Sequence, residues 1–162
     1  MSTPPPPAFD LATLFGPEQI IPAMTAANRW QAIDELIANL IHTGRIKPEN
    51  CDGVTAAVRK REMSMSTGIG LGIGMPHASS DLVTELTGAL GRAPAGIPFE
   101  SLDGKPVNLC LLLLVPQGQF QKHLHTVAGI AKLFRNEDFR QALLLAPDAA
   151  AMHQIIRTQT AR

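Results

Sequence analysis

Apolar residues along this chain switch between two spacings. Trp30, Ile33, Leu36, Ile37, Leu40 and Ile41 recur every three or four positions, the mark of an amphipathic helix, and Gly44 follows as a stop signal. Pro48 suits the first turn of a second helix, whose apolar side is Val54, Ala57 and Val58 and whose end is expected near Arg61-Glu62. Val107 to Val115 is an almost unbroken apolar run. It is too short to cross a membrane and has the length of a strand buried on both faces. Gln19-Ile20-Ile21 reads as a short edge strand ended by Pro22, and Leu86 to Leu90 as another strand before Gly91. Leu102-Asp103-Gly104-Lys105 reads as a turn, since Asp-Gly tolerates positive φ. Helices are expected from about Phe120 to Phe134, over Glu137–Leu145, and over Pro147–Arg157 with Asp148 near its start. Helices and strands mix along the chain without an internal repeat. The class is therefore α/β or α+β, a mixed central sheet flanked by helices, with a single domain over 11–162.

Between the second helix and the Leu86 strand the texture changes. Ser66 to Pro76 reads STGIGLGIGMP, with Gly68, Gly70, Gly72 and Gly74 at every second position. As one extended segment this would leave a face without side chains, opposite Ile69, Leu71 and Ile73, where other groups approach the backbone closely. His77 follows directly after Pro76. Free backbone N–H groups in such a segment bind anions. The run is not a Walker A loop, because no Gly-Lys-Ser/Thr follows, and it is not a dinucleotide fingerprint opening a helix.

The 162 residues carry 14 basic and 14 acidic side chains, which argues against a nucleic-acid partner. Cys51 and Cys110 are too few for a disulfide framework and lack metal-ligand spacing, so both read as reduced packing residues. The head MSTPPPPAFD has neither a basic n-region nor an apolar h-region; its four prolines suggest an extended, loose tail over 1–10. With no apolar segment of spanning length, a cytoplasmic protein with no direct membrane insertion is expected.

Five histidines are candidates for chemistry: His42, His77, His123, His125 and His153. On a helical wheel His123 falls in the arc of Leu124, Val127, Ile130, Ala131 and Phe134, and should face inward. His125 falls opposite, with Lys132. A metal site built from His77 and His123 lacks a clear third ligand. Arg61 lies in the basic run Arg59-Lys60-Arg61, which by itself reads as a solvated helix face.

The stretch RKREMSMSTGIGLGIGMPHAS resembles the signature of the type-2 EIIA family of the bacterial phosphotransferase system, which comprises fructose, mannitol and nitrogen-regulatory components. The likeness continues through GALGR, LDGKPVNLCLLLLVP and HLHTVAGIAKLFRNEDFRQALL, from about Leu11 to Arg157. The resemblance implies an EIIA mannitol/fructose-like fold with the active site at strand ends, and a phosphocarrier that needs no cofactor. It implies His77 as phosphoryl acceptor, His123 as second active-site histidine, and Arg61 beside the phosphohistidine. Ser66 and Thr67 would line the same pocket and bind phosphate. Two positions depart from the pattern: Ala78 stands where glycine is common, and Gly74 where alanine is usual. Phosphate would arrive from phospho-HPr or a nitrogen-branch equivalent. It would pass to an EIIB domain, or its presence would regulate another protein. The lack of EIIB, EIIC or transmembrane segments leans toward regulation.

Overall fold

The computed structural model describes residues 11–160; the proline-rich head lies outside the described residues. In chain order the elements are α1 (Leu11–Leu14), β1 (Ile20–Ile21), α2 (Arg29–His42), α3 (Cys51–Ser64), β2 (Gly68–Gly70), β3 (Ile73–Gly74), β4 (His77–Ser80), β5 (Thr87–Ile97), β6 (Val107–Pro116), α4 (Phe120–Phe134), α5 (Glu137–Leu145) and α6 (Ala149–Thr160). Polar side chains start three of the helices by accepting orphan backbone N–H groups. Asn28 takes that of Gln31 at 2.9 Å, Asn136 that of Phe139 at 3.0 Å, and Asp148 that of Ala151 at 2.8 Å.

The apolar run β6 is the centre of the sheet. It pairs antiparallel with β5, which carries β1 parallel at the far edge. On its other side β6 pairs parallel with β3 and then with β4. Ile73 opposite Leu109 and His77 opposite Leu113 keep the same offset, so β3 and β4 are one strand line interrupted at Met75-Pro76. Pro76 has no N–H for the ladder, yet its carbonyl still accepts from Leu113 at 3.1 Å, so the register does not slip.

Side-chain alternation along β6 separates two cores. Leu109, Leu111, Leu113 and Val115 join the layer containing α1, α4, α5 and α6, whereas Cys110, Leu112 and Leu114 face α2 and α3. Burial of Cys110 pushes its thiol far above the usual range, which keeps it protonated and inert. The same alternation puts Ile73 and Met75 in the core on the α4 side, and Ala78 in the core on the α3 side.

Several sequence expectations need correction. The glycine run is not one extended segment but a hairpin, β2 turning into antiparallel β3. Gly70, Leu71 and Gly72 take φ of 90°, 61° and 77°, and three left-handed residues in succession reverse the chain. The close approach is real nonetheless: a Cβ on Gly74 would meet the Phe99 ring at 3.1 Å. The strand expected over Leu86–Leu90 runs on to Ile97, with the ladder shifting register after Arg92, where Pro94 is tolerated. Pro48 opens a 3₁₀ turn, and α3 proper continues to Ser64, beyond Arg61-Glu62.

Candidate functional site

His77 opens β4 at the free side of the strand line, where α3 packs across it. A cleft of about 630 Å³ forms between them. Ala57, Lys60, Arg61 and Ser64 line it from α3, His77, Ala78 and Ser79 from β4, and Phe120 from the start of α4. The α3 set follows helical spacing and therefore shares one face. The lining contains two cations and two hydroxyls and no carboxylate, a composition suited to an oxyanion.

The His77 ring is fixed by its neighbours. Nδ1 lies 2.8 Å from the Met75 carbonyl oxygen, which can only accept, so Nδ1 carries the proton and Nε2 keeps its lone pair. The Phe120 ring stands with its centroid 6.5 Å away, tilted by 31°. Burial lowers the pKa of His77 from the ordinary histidine value. The Met75 bond works against this, the Arg61 charge adds to it, and Glu62 opposes it. The net effect is a ring that is neutral and nucleophilic at pH 7.

Arg61 stands in the last turn of α3. Its Nη1 donates at 3.3 Å to the carbonyl of Met65, and no ion pair involves it among the described residues. Its charge is therefore available to the cleft. Its neighbours in the basic run differ from it and from each other. Arg59 turns away, pairs with Asp34 at 2.7 Å and lies over the Trp30 ring at 5.8 Å. Lys60 lines the cleft, so the run is not a uniformly solvated face.

The structure does not bring every expected residue to His77. The Ser66 hydroxyl donates to the Phe99 carbonyl. The Thr67 hydroxyl donates to Glu62 at 2.6 Å, and Thr67 is 4% exposed. Neither lines the cleft; its hydroxyls are those of Ser64 and Ser79. His123 is half-buried and His125 exposed, in keeping with the helical wheel. Leu124, expected in the apolar arc, is 42% exposed instead. His123 lines a separate cavity of about 450 Å³ with Gln19, Arg45, Thr87 and Lys122; burial and the Lys122 charge lower its pKa. Among the described residues no group of His, Cys, Asp or Glu has the geometry of a metal site.

Lys60, Ser64, Ser79, Phe120, Met75 and Glu62 went unassigned in the sequence. The helical spacing of Ala57, Lys60, Arg61 and Ser64 held the signal for half of the cleft. The Met75 carbonyl had none, because any residue supplies one.

Comparison with known proteins supplies the family. Residues 13–159 match the family described as "Phosphoenolpyruvate-dependent sugar phosphotransferase system, EIIA 2". The chain is 33% identical over 146 residues to the nitrogen regulatory protein of Bradyrhizobium diazoefficiens, covering 90% of this chain and 94% of that protein. It is 31% identical over 147 residues to the fructose-specific EIIA component of Haloferax volcanii, covering 91% and 94%. Its fold matches the crystal structure of nitrogen regulatory protein IIA-Ntr from Neisseria meningitidis with a TM-score of 0.81 at 26% identity, over 90% of this chain and 98% of that one. With the matched family spanning both core layers and the cleft between α3 and β4, this chain belongs to the EIIA type-2 family of phosphoenolpyruvate-dependent phosphotransferase systems.

Proposed function

We propose that this EIIA protein receives a phosphoryl group on Nε2 of His77 and hands it on. The single observation that carries the assignment is the 2.8 Å bond from Nδ1 to the Met75 carbonyl, which leaves Nε2 as the free nucleophile in a cleft lined by Lys60 and Arg61. The donor is a phosphohistidine on an HPr-type carrier. The Nε2 lone pair attacks phosphorus, the donor's N–P bond breaks, and the donor ring, protonated at its other nitrogen, leaves as neutral imidazole. His77 then carries a positive ring beside a negative phosphoryl group. The Met75 carbonyl stabilises the ring through Nδ1–H, and Arg61 stabilises the phosphoryl oxygens through its planar fork. Onward transfer runs the same step in reverse toward an acceptor. No cofactor enters the reaction.

His123 takes part from the neighbouring cavity, on its match to the family's second histidine and its place one turn along α4 from Phe120. The downstream partner is a regulated protein, a reading supported by the likeness to nitrogen regulatory proteins. The likeness to a fructose-specific component favours an EIIB domain as the second reading. No helix of the described residues is long and apolar enough to cross a membrane, which suits a cytoplasmic carrier. Incubation with Enzyme I, HPr and labelled phosphoenolpyruvate tests acceptance. Adding a fructose-type EIIB tests the second reading, because label chased from the protein onto EIIB supports it and label that stays put favours the first.

A further inference from the structure

Glu62 is a buried titratable group for which phosphoryl transfer, as described, has no use. It follows Arg61 in the last turn of α3, but its side chain turns inward and the residue is 1% exposed. Its two oxygens lie 3.0 and 3.2 Å from the Thr67 backbone nitrogen and accept its hydrogen, and Oε2 accepts from the Thr67 hydroxyl at 2.6 Å. Arg29, stacked over Trp30 at 4.6 Å, brings its Nη1 to 3.7 Å from Oε1. A buried carboxylate is costly unless such partners satisfy it, so this one is retained at a place where the fold had to supply three donors.

The bonds continue toward the imidazole. The Thr67 carbonyl accepts from the Met75 N–H at 3.0 Å, and the Met75 carbonyl accepts from His77 Nδ1–H at 2.8 Å. Thr67 stands at the mouth of the β2–β3 hairpin, whose glycines have no side chains with which to anchor it. The hairpin is held along its length by the β3–β6 ladder and at its tip by Asp103, which accepts from the Leu71 N–H at 3.0 Å; at its mouth, next to Met75, Glu62 adds a tie through both the backbone and the hydroxyl of Thr67.

We propose that Glu62 is a positioning residue for His77: by holding Thr67 it places the Met75 carbonyl that selects the Nδ1–H tautomer, while the same helical turn sets Arg61 on the cleft. The carboxylate also acts at a distance, since its negative charge opposes that of Arg61 at the His77 ring. A purely structural residue would leave both the tautomer and the titration of His77 untouched in a folded variant. The kinetic consequence rests on His77 being the phosphoryl acceptor, but the tautomer does not.

The test is long-range ¹H–¹⁵N NMR of the histidine rings in the unphosphorylated full chain across pH, with far-UV circular dichroism as the check on folding. The parent should show His77 with the proton on Nδ1 at neutral pH. Glu62→Gln should lower the His77 pKa and populate the Nε2–H form. Thr67→Val should populate that form with the carboxylate still present, and Thr67→Ser, which keeps the hydroxyl, should restore the parent tautomer. Single-turnover phosphorylation of Glu62→Gln should slow at least tenfold. A parent that carries the proton on Nε2, or an unchanged tautomer and pKa in folded Glu62→Gln and Thr67→Val, overturns the proposal. A shifted tautomer in a protein whose parent never takes label on His77 would uphold the positioning role and refute the acceptor assignment instead.

Discussion

Two arginines, in two regions of the molecule, show how one side chain serves opposite ends. Arg92 on β5 is 8% exposed, and its guanidinium is spent on carbonyls: Pro22 at 2.8 Å, Leu143 at 2.9 Å and Ala146 at 2.6 Å. The last two belong to the C-terminal end of α5, where unpaired carbonyls and the helix dipole favour a cation. Arg61 sits at the end of α3 on the cleft edge and, among the described residues, its side chain gives one long bond, to the Met65 carbonyl. It lines the cleft with His77, where its charge helps to lower the pKa of the ring. The first arginine closes a structure, and under the proposed function the second stays open for the phosphoryl group. What separates them is the number of committed donors, since both are permanently charged.

Substitution should therefore act on different observables in the two regions. Arg92→Met removes this donor from at least three carbonyls, two of them in buried bonds, and stability should fall on the order of 3 kcal/mol. For a chain of this size that lowers Tm by roughly 6–12 °C, while transfer per folded molecule stays at the parent rate. A transfer defect with unchanged Tm would break the comparison. Arg61→Lys should do the reverse. The charge stays, the fork is lost, and single-turnover transfer from phospho-HPr should slow by about ten- to a hundredfold, equivalent to ~1.5–3 kcal/mol, with Tm unchanged.

Smaller effects sharpen the picture within α3 and α4. His123→Ala should slow transfer about tenfold, or ~1.4 kcal/mol of barrier, whereas exposed His125→Ala should match the parent. Equal rates would confine the reaction to the His77 cleft. Lys60→Gln should cost only a few-fold, because its exposed charge is screened by solvent and salt. The loss should shrink further at high ionic strength. Arg59→Lys keeps the pairing charge beside Asp34 and should leave transfer alone.

The pH profile follows from His77. Its pKa is lowered by burial, so the neutral nucleophile is the main form at pH 7. Phosphorylation should be flat around neutrality and decline only as pH falls below the ordinary histidine value of about 6.5. A decline that begins above that value would mean a raised pKa and a different balance of burial and charge.

How much of this was legible in the sequence differs by region for a physical reason. β6 was readable because burial on both faces leaves a continuous apolar run, a signal held within the segment itself. The helices were readable from their spacing and from end signals such as Gly44 and Asp148. The Gly68–Gly74 hairpin was not, because alternating glycines fit an extended strand and a left-handed turn equally well until packing against Phe99 decides. His77 and Arg61 were marked by their motif. The commitments of Ser66 and Thr67 were not, because their partners, Phe99 and Glu62, are chosen by tertiary contact. Arg92 was invisible for the same reason, with partners more than fifty residues away on either side of the chain.

The claim at the centre is the acceptor atom, and it can be measured directly. The protein is phosphorylated with Enzyme I, HPr and labelled phosphoenolpyruvate, kept at neutral pH because phosphohistidine is acid-labile, and examined by mass spectrometry and by ¹H–¹⁵N NMR of the histidine rings. The account predicts one phosphoryl group, on Nε2 of His77, absent from His77→Ala. Label retained in folded His77→Ala, or a phosphoryl group on Nδ1 in place of its bond to the Met75 carbonyl, would contradict it.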